Sequence, residues 1–380
     1  MFDSKHYIPI LKWKSAEIRA LRDLSDEDKK HITPLVELVM PKVSSPFKDK
    51  DKKIKKSSHE ISAEVVLKFK NKKRNKIPEE ILNSWGRRPI FVDFSLLHES
   101  QQTTQLKVES INKIIPSCAN LGLNLIPVIN LNDEGEIKQT ASILSNKYST
   151  GLCLRVTSAD LEEIEQLSQK IEHFLKTYDM VENNIDLLID IKCIDKENSH
   201  YLRYVNQSQK VQNLIEWRNL IFASGAFPED LQGCKFGEET YIPRSDWKSW
   251  LRYIYNKKLE RDLTFADYTI RNPIHKEADQ FRAPTTSIRY TIDNDWMIMK
   301  GKRYQFGLYL ANAQLLVEES GHYSGRGFSA GDLYVDEKAK HCPKYMKNNK
   351  LKGTGNSEDW LYAGISHHLV LTARQVANLS

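Results

Sequence analysis

The sequence predicts an α/β fold, a (β/α)8 barrel of the TIM type over residues 1–281 followed by a C-terminal α+β subdomain over residues 282–380. Three observations carry that expectation. Short apolar runs recur eight times in the first 270 residues, at a mean spacing of about 36 residues, the size of one βα unit. The runs are apolar at successive positions rather than alternating, as strands buried on both faces of a parallel sheet are. No glycine-rich fingerprint follows the first run, where ILKWKSAE lacks glycine entirely, so a doubly wound nucleotide-binding sheet is disfavoured.

In chain order the predicted strands are YIPILKWK (7–14), ITPLVEL (32–38), PIFVDFS (89–95), NLIPVINLN (124–132), GLCLRVT (151–157), IDLLIDIK (185–192), NLIFASGAFP (219–228) and LTFADYTI (263–270). Between them, SAEIRALRDL has Ser15 as an N-cap and apolar residues at helical spacing. SADLEEIEQLSQKIEHFLKTY sets Leu161, Ile164, Leu167, Ile171 and Leu175 on one helical face. The second and third strands are too far apart, and a lysine-rich insertion at about 42–76 fills the excess. It holds 13 basic residues against 4 acidic ones, so the chain's formal charge of +6 is concentrated there. The segment 45–58 is expected to be solvent-exposed and to offer a nucleic-acid phosphate backbone its lysines. Its only aromatics are Phe47 and Phe69, so stacking on bases is not indicated.

After about residue 282 the rhythm changes. TSIRYTIDNDWMIMKGK reads as two strands about a turn at 293–295, RYQFGLYLANAQLLVEE as a helix, and SEDWLYAGISHHLVLTARQVANL as a final helix capped by Asn356 or Ser357. Trp247 and Trp250 are expected to pack a helix on the outside of the barrel.

Composition narrows the class. Hydrophobic residues make up 40% of the chain, enough for a large core, and no apolar stretch approaches a membrane span, so no membrane association is expected. The N-terminus carries no signal-like apolar region, and five dispersed cysteines form no paired motif, so the expected compartment is the cytoplasm.

Catalytic and binding residues of a parallel barrel come from the C-terminal ends of its strands. Those ends supply the carboxylates Glu37, Asp93, Asp190 and Asp267, candidates for general acid and base or for holding a divalent cation. They also supply Lys12, Lys14, Arg155 and Lys192, suited to phosphate or carboxylate groups. Ser224 and Gly225 open a small-residue turn after the seventh strand, where backbone N–H groups often meet phosphate, and Tyr268 closes the eighth. Charges set inside apolar runs must be paired or lie in a polar pocket, and a functional mouth is the expectation. Arg155 is expected to contact a bound anion, with little loss of folding stability on substitution by alanine. No particular metal or cofactor is specified by the pattern. His367 and His368 point about 100° apart on one helix, so they do not read as joint ligands of one metal.

The ordered motifs YIPILKWKSAEIRALRDL, ITPLVEL, FVDF, LIPVIN, LRVT, LLIDI, SGAFP, ADYT and IRYT followed by Trp296 resemble the Beta protein family, over roughly residues 6–370. The resemblance implies importance for Lys12, Lys14, Glu17, Glu37, Asp93, Arg155, Asp190, Ser224, Phe227, Pro228, Asp267, Tyr268, Arg289, Tyr290 and Trp296. It also implies a glycine after the Asp–Tyr pair, where this chain has Thr269. The family's namesake belongs to a satellite-phage locus of the gop–beta–cin type. The implied role is therefore in antiphage defence or toxin control, with a partner protein encoded in the same locus, and no catalytic mechanism comes with it. Residues and resemblance together predict a barrel mouth that binds an anionic, phosphorylated ligand, nucleic acid or a partner protein. The alternatives are a metal-dependent hydrolase or phosphodiesterase using the strand-end carboxylates, and a non-catalytic, antitoxin-like interaction protein.

Overall fold

The computed structural model describes residues 5–41, 58–98, 102–194, 200–255, 258–275, 285–341 and 353–379. Among them, β1 (Tyr7–Lys12), β2 (Leu35–Glu37), β3 (Ile90–Asp93), β4 (Leu125–Asn130), β5 (Leu152–Thr157), β6 (Ile185–Cys193) and β7 (Asn219–Gly225) pair in chain order. A later strand, Thr264–Asp267, closes the barrel between β7 and β1, and every neighbouring pair is parallel. The predicted barrel is thus observed, each strand falling inside one of the eight apolar runs except β6, which extends one residue beyond its run to Cys193.

Strand alternation sorts the side chains into two cores. Outward residues such as Tyr7, Val92, Leu154 and Phe265 join the helices, and Trp247 and Trp250 meet the Phe265 ring edge-on at 5.3 and 5.0 Å. Inward residues fill the barrel: Ile8, Ile10, Leu35, Phe91, Val128, Cys153, Leu188, Ile221 and Ala266 form a separate buried cluster. At its N-terminal end Arg218 makes a bidentate pair with buried Asp186, at 3.0 and 2.7 Å, which seals that side.

The remaining strands form a three-stranded antiparallel sheet. Between β7 and the closing strand lies β8 (Glu239–Pro243), so the closing strand is β9. The hairpin β10 (Thr285–Ile292) and β11 (Asp295–Arg303) turns where the sequence placed it, and β8 adds to the far side of β11. The small sheet therefore borrows a strand from residues before 282, a link between the two parts that a purely sequential boundary does not capture.

The C-terminal helix (Ser357–Ala377) binds barrel and sheet together. Asn356 starts it with a capping box: its side chain accepts the N–H groups of Glu358 and Asp359 at 2.7 and 3.2 Å, and the Asp359 carboxylate accepts the Asn356 N–H at 3.0 Å. Gly364 lets this helix approach β10, since a Cβ there would lie 2.5 Å from the Arg289 carbonyl oxygen. Of the lysine-rich insertion, residues 42–57 lie outside the described residues; from Ser58 the chain is helical, as far as Lys68 and again over Arg74–Ser84.

Candidate functional site at the barrel mouth

The polar ring follows from the period of a strand. Two residues beyond inward-facing Ile10, Leu35, Phe91, Cys153, Leu188 and Ala266 come Lys12, Glu37, Asp93, Arg155, Asp190 and Tyr268, which therefore face inward one layer nearer the mouth. Arg155 is the hub and only 2% exposed. Its Nε donates to Asp190 Oδ2 at 2.8 Å, and its Nη2 to the same oxygen at 2.5 Å and to the Tyr268 hydroxyl at 2.7 Å. Its Nη1 donates to Glu37 Oε1 at 3.0 Å and to Asp93 Oδ2. Lys12 donates to the other Glu37 oxygen. The Tyr268 hydroxyl in turn donates to Asp190 Oδ2 at 2.7 Å.

Lys192 completes the ring by a backbone irregularity. The register of β6 against β7 shifts between Asp190 and Cys193, and Lys192 adopts a left-handed φ of 57°. Its N–H donates to Asp190 Oδ1 at 2.9 Å, and its Nζ reaches Asp190 at 3.0 Å and the Tyr268 hydroxyl at 2.9 Å. With 32% of its side chain exposed, it is the member of the ring that solvent reaches.

The network fixes protonation states. Burial would raise the Glu37 carboxyl, but the charges of Lys12, Arg155 and Lys192 outweigh it and hold the group at about 2. Asp190 is likewise held below the usual carboxylate range: burial is overcome by Arg155, Lys192 and the Tyr268 hydrogen bond. Burial pushes Lys12 down, and Glu37 offsets this only in part. Three cations thus face three carboxylates in a closed set. Arg155 directs every donor group of its guanidinium at protein oxygens, so the expectation that it waits for a bound anion, and is dispensable for folding, is not what this geometry supports.

Around this set, the loops after β1 and β9 and the strand β10 bring further cations. His275, after β9, is pushed down to about 4, first by burial and then by Lys14, Lys12 and Arg271, with Glu37 opposing. Arg271 bonds Glu17 at 2.8 and 3.1 Å. Arg289 of β10 donates to the Ile270 carbonyl at 2.9 Å and stacks over Phe227 at 4.9 Å. Gly225 sits where bulk is excluded, because a Cβ would approach Pro273 at 2.6 Å and Tyr268 at 3.1 Å. The strand-end reading missed Arg271 and His275; both lie in RNPIH directly after the eighth run, where the next loop of the mouth had to be.

Two candidates are not in the ring. Asp267 lies between Ala266 and Tyr268, which face inward, so it faces outward under the C-terminal helix. There its carboxylate accepts from the Tyr7 hydroxyl at 2.5 Å and meets His368 Nε2 at 3.0 Å. Burial would raise Asp267, but His368, the Tyr7 hydrogen bond and Arg244 lower it. Ser224 pairs with Asp267 across the β7–β9 ladder and shares its outward side. The adjacent His367 turns to Asp332 at 2.9 Å, so the two histidines serve different carboxylates. Among the described residues no His, Cys, Asp and Glu group is arranged to hold a metal ion.

The position after the Asp–Tyr pair carries backbone strain. Thr269 has φ 57°, a region unfavourable to a β-branched residue, and its buried hydroxyl lacks a hydrogen-bond partner. Thr269→Gly is expected to stabilise the protein by about 1 kcal/mol, read as a higher denaturation midpoint at unchanged slope. A lower midpoint would show that the methyl packing outweighs the strain.

A family model described as Beta protein matches residues 7–374, nearly the whole chain. The chain belongs to the Beta protein family. A search of curated proteins returned no match. For this Beta family protein the family match covers barrel and subdomain alike, including every residue of the mouth described above. No described helix is long and apolar enough to cross a membrane.

Proposed function

We propose that the protein binds a compact oxyanion, a phosphoryl or carboxylate group, at the open end of its barrel, with Lys192 as the principal contact and Lys12, Lys14 and Tyr268 around it. The observation that carries this reading is the charge arrangement. The ring pairs three cations with three carboxylates, and the loops after β1 and β9 and the strand β10 add Lys14, Arg271 and Arg289, with Glu17 paired to Arg271. An anion arriving from solvent meets the partly exposed Lys192 first, with the buried Tyr268 hydroxyl behind it. Glu37, Asp93 and Asp190 orient the cations in this reading. Glu37, ionised down to about 2, is poorly matched to proton transfer near neutral pH, which weighs against the hydrolase alternative.

The biological setting we propose, antiphage defence or control of a toxic neighbour through a partner protein, rests on the family resemblance alone. Binding of nucleic acid by the lysine-rich insertion rests on its charge. The decisive experiment titrates inorganic phosphate into the protein by calorimetry, alongside a plaque-protection or toxin-neutralisation assay. Lys192→Ala should weaken phosphate at least tenfold and abolish the cellular effect. It should lower the melting temperature by only about 2 °C, because Arg155 and Tyr268 still hold buried Asp190 once the partly exposed Lys192 is gone. Wild-type phosphate affinity in this variant would end the proposal.

A further inference from the structure

We infer that Arg289, delivered by the subdomain strand β10, is a second oxyanion-binding position on the barrel rim, and that the ligand is a small molecule bearing two anionic groups, of the bisphosphate or phosphorylated-carboxylate class. The two-group conclusion rests on the mouth reading above; the Arg289 position stands on its own geometry.

That geometry is a half-buried arginine without a counter-charge among the described residues. A guanidinium has five N–H donors, and among the described residues Arg289 forms one hydrogen bond, to the Ile270 carbonyl. Its face covers the Phe227 ring at 4.9 Å, and Phe227 is itself fixed by an edge contact with Trp296 at 5.1 Å. Among the described residues no carboxylate pairs with it. The largest charge effect on it comes from Arg271, of the same sign, and burial together with that repulsion brings Arg289 down to about 10. The residue is nevertheless only half-buried. It is crowded but not sealed, as a side chain at the bottom of an open cleft is.

Three other arginines of this protein are compensated, whereas buried Arg244 keeps its Nε without a hydrogen-bond partner among the described residues. Arg155 meets three carboxylates and Arg218 is bidentate on Asp186. Arg261 directs its guanidinium at the carbonyls of Leu214, Trp217 and Arg218. Open donors at the foot of a cleft suit an anion, and a phosphoryl or carboxylate group matches the guanidinium edge with two parallel hydrogen bonds. The position is continuous with the mouth. Ile270 lies two residues beyond Tyr268, Phe227 two beyond Gly225, and Arg271 acts electrostatically on both Arg289 and His275. One ligand can therefore place one group at Lys192 and another at Arg289, bridging barrel and subdomain.

The test is a calorimetric titration of the full chain with inorganic phosphate in a buffer free of other oxyanions. Two phosphates per chain are expected for the wild type. Lys192→Ala should remove one, Arg289→Met the other, and Arg289→Lys should keep both with at least tenfold weaker binding at its own position. Without phosphate, Arg289→Met should melt a few degrees higher than wild type, because an apolar chain over Phe227 carries no unpaired charge. A residue with only a structural role would melt lower on losing its bond to Ile270. Two phosphates at wild-type affinity in Arg289→Met overturn the inference and leave the mouth reading intact if Lys192→Ala has lost one. Loss of a phosphate in Arg289→Met but not in Lys192→Ala supports the Arg289 position and overturns the two-group ligand together with the mouth reading. A wild-type protein that binds no phosphate overturns both.

Discussion

Arg155→Ala is expected to destabilise the protein by about 3–5 kcal/mol, the cost of breaking a buried ion cluster by removing one side. The substitution leaves Glu37, Asp93 and Asp190 in the barrel interior with Lys12 and Lys192 alone to balance them. It also takes a donor from the Tyr268 hydroxyl. Either the carboxylates take up protons or water enters the layer, and both oppose folding. Urea denaturation reads the loss directly. A compensating series gives the mechanism: Arg155→Met combined with Glu37→Gln, Asp93→Asn and Asp190→Asn should recover much of the stability, because no uncompensated carboxylate remains. A variant Arg155→Ala that keeps wild-type stability but loses phosphate would instead make Arg155 an anion contact, as the strand-end pattern by itself implied.

The second large effect is at Asp267. Asp267→Ala is expected to cost about 2–4 kcal/mol, although the residue stands at a strand end where a catalytic group was expected. Its carboxylate joins β9 to Tyr7 of β1 and to His368 of the C-terminal helix, and it also accepts the Thr269 N–H at 2.9 Å. Removing it leaves a buried phenol and a buried imidazole without their acceptor. The same pocket holds Asp246, which burial and the neighbouring Asp267 charge push up to about 7, and Arg244, whose Nη2 donates to Thr372 at 3.0 Å. The discriminating result is the pairing of readouts. Asp267→Ala should lower the denaturation midpoint strongly while the folded fraction still binds phosphate; an unchanged midpoint with lost binding would return Asp267 to the mouth.

These two residues mark the boundary between what the chain's pattern reveals and what it hides. Arg155 and Asp267 look alike in the sequence, each a charge near the end of an apolar run, LCLRVT and TFADYT. In the barrel one is the interior hub and the other lies outside it. A parallel barrel strand is apolar on both faces, so alternation, which marks the inner face of a half-exposed strand, is missing. Only the closing of β9 against both β7 and β1 decides that Ala266 and Tyr268 turn in and Phe265 and Asp267 turn out.

The eight strands, their order, the final hairpin and helix, and the concentration of charge at the C-terminal strand ends are legible in the chain, because local apolar runs and caps are short-range properties. The tertiary structure alone decided the rest. It recruited β8 into the small sheet, since strand pairing is a long-range choice. It balanced Arg155 against carboxylates from three other strands, since residues up to 118 apart in the chain meet only when the barrel closes. It brought Arg289 across from the subdomain to the barrel rim, uncompensated among the described residues, because the approach of one layer to another is set by packing and is written in no single segment.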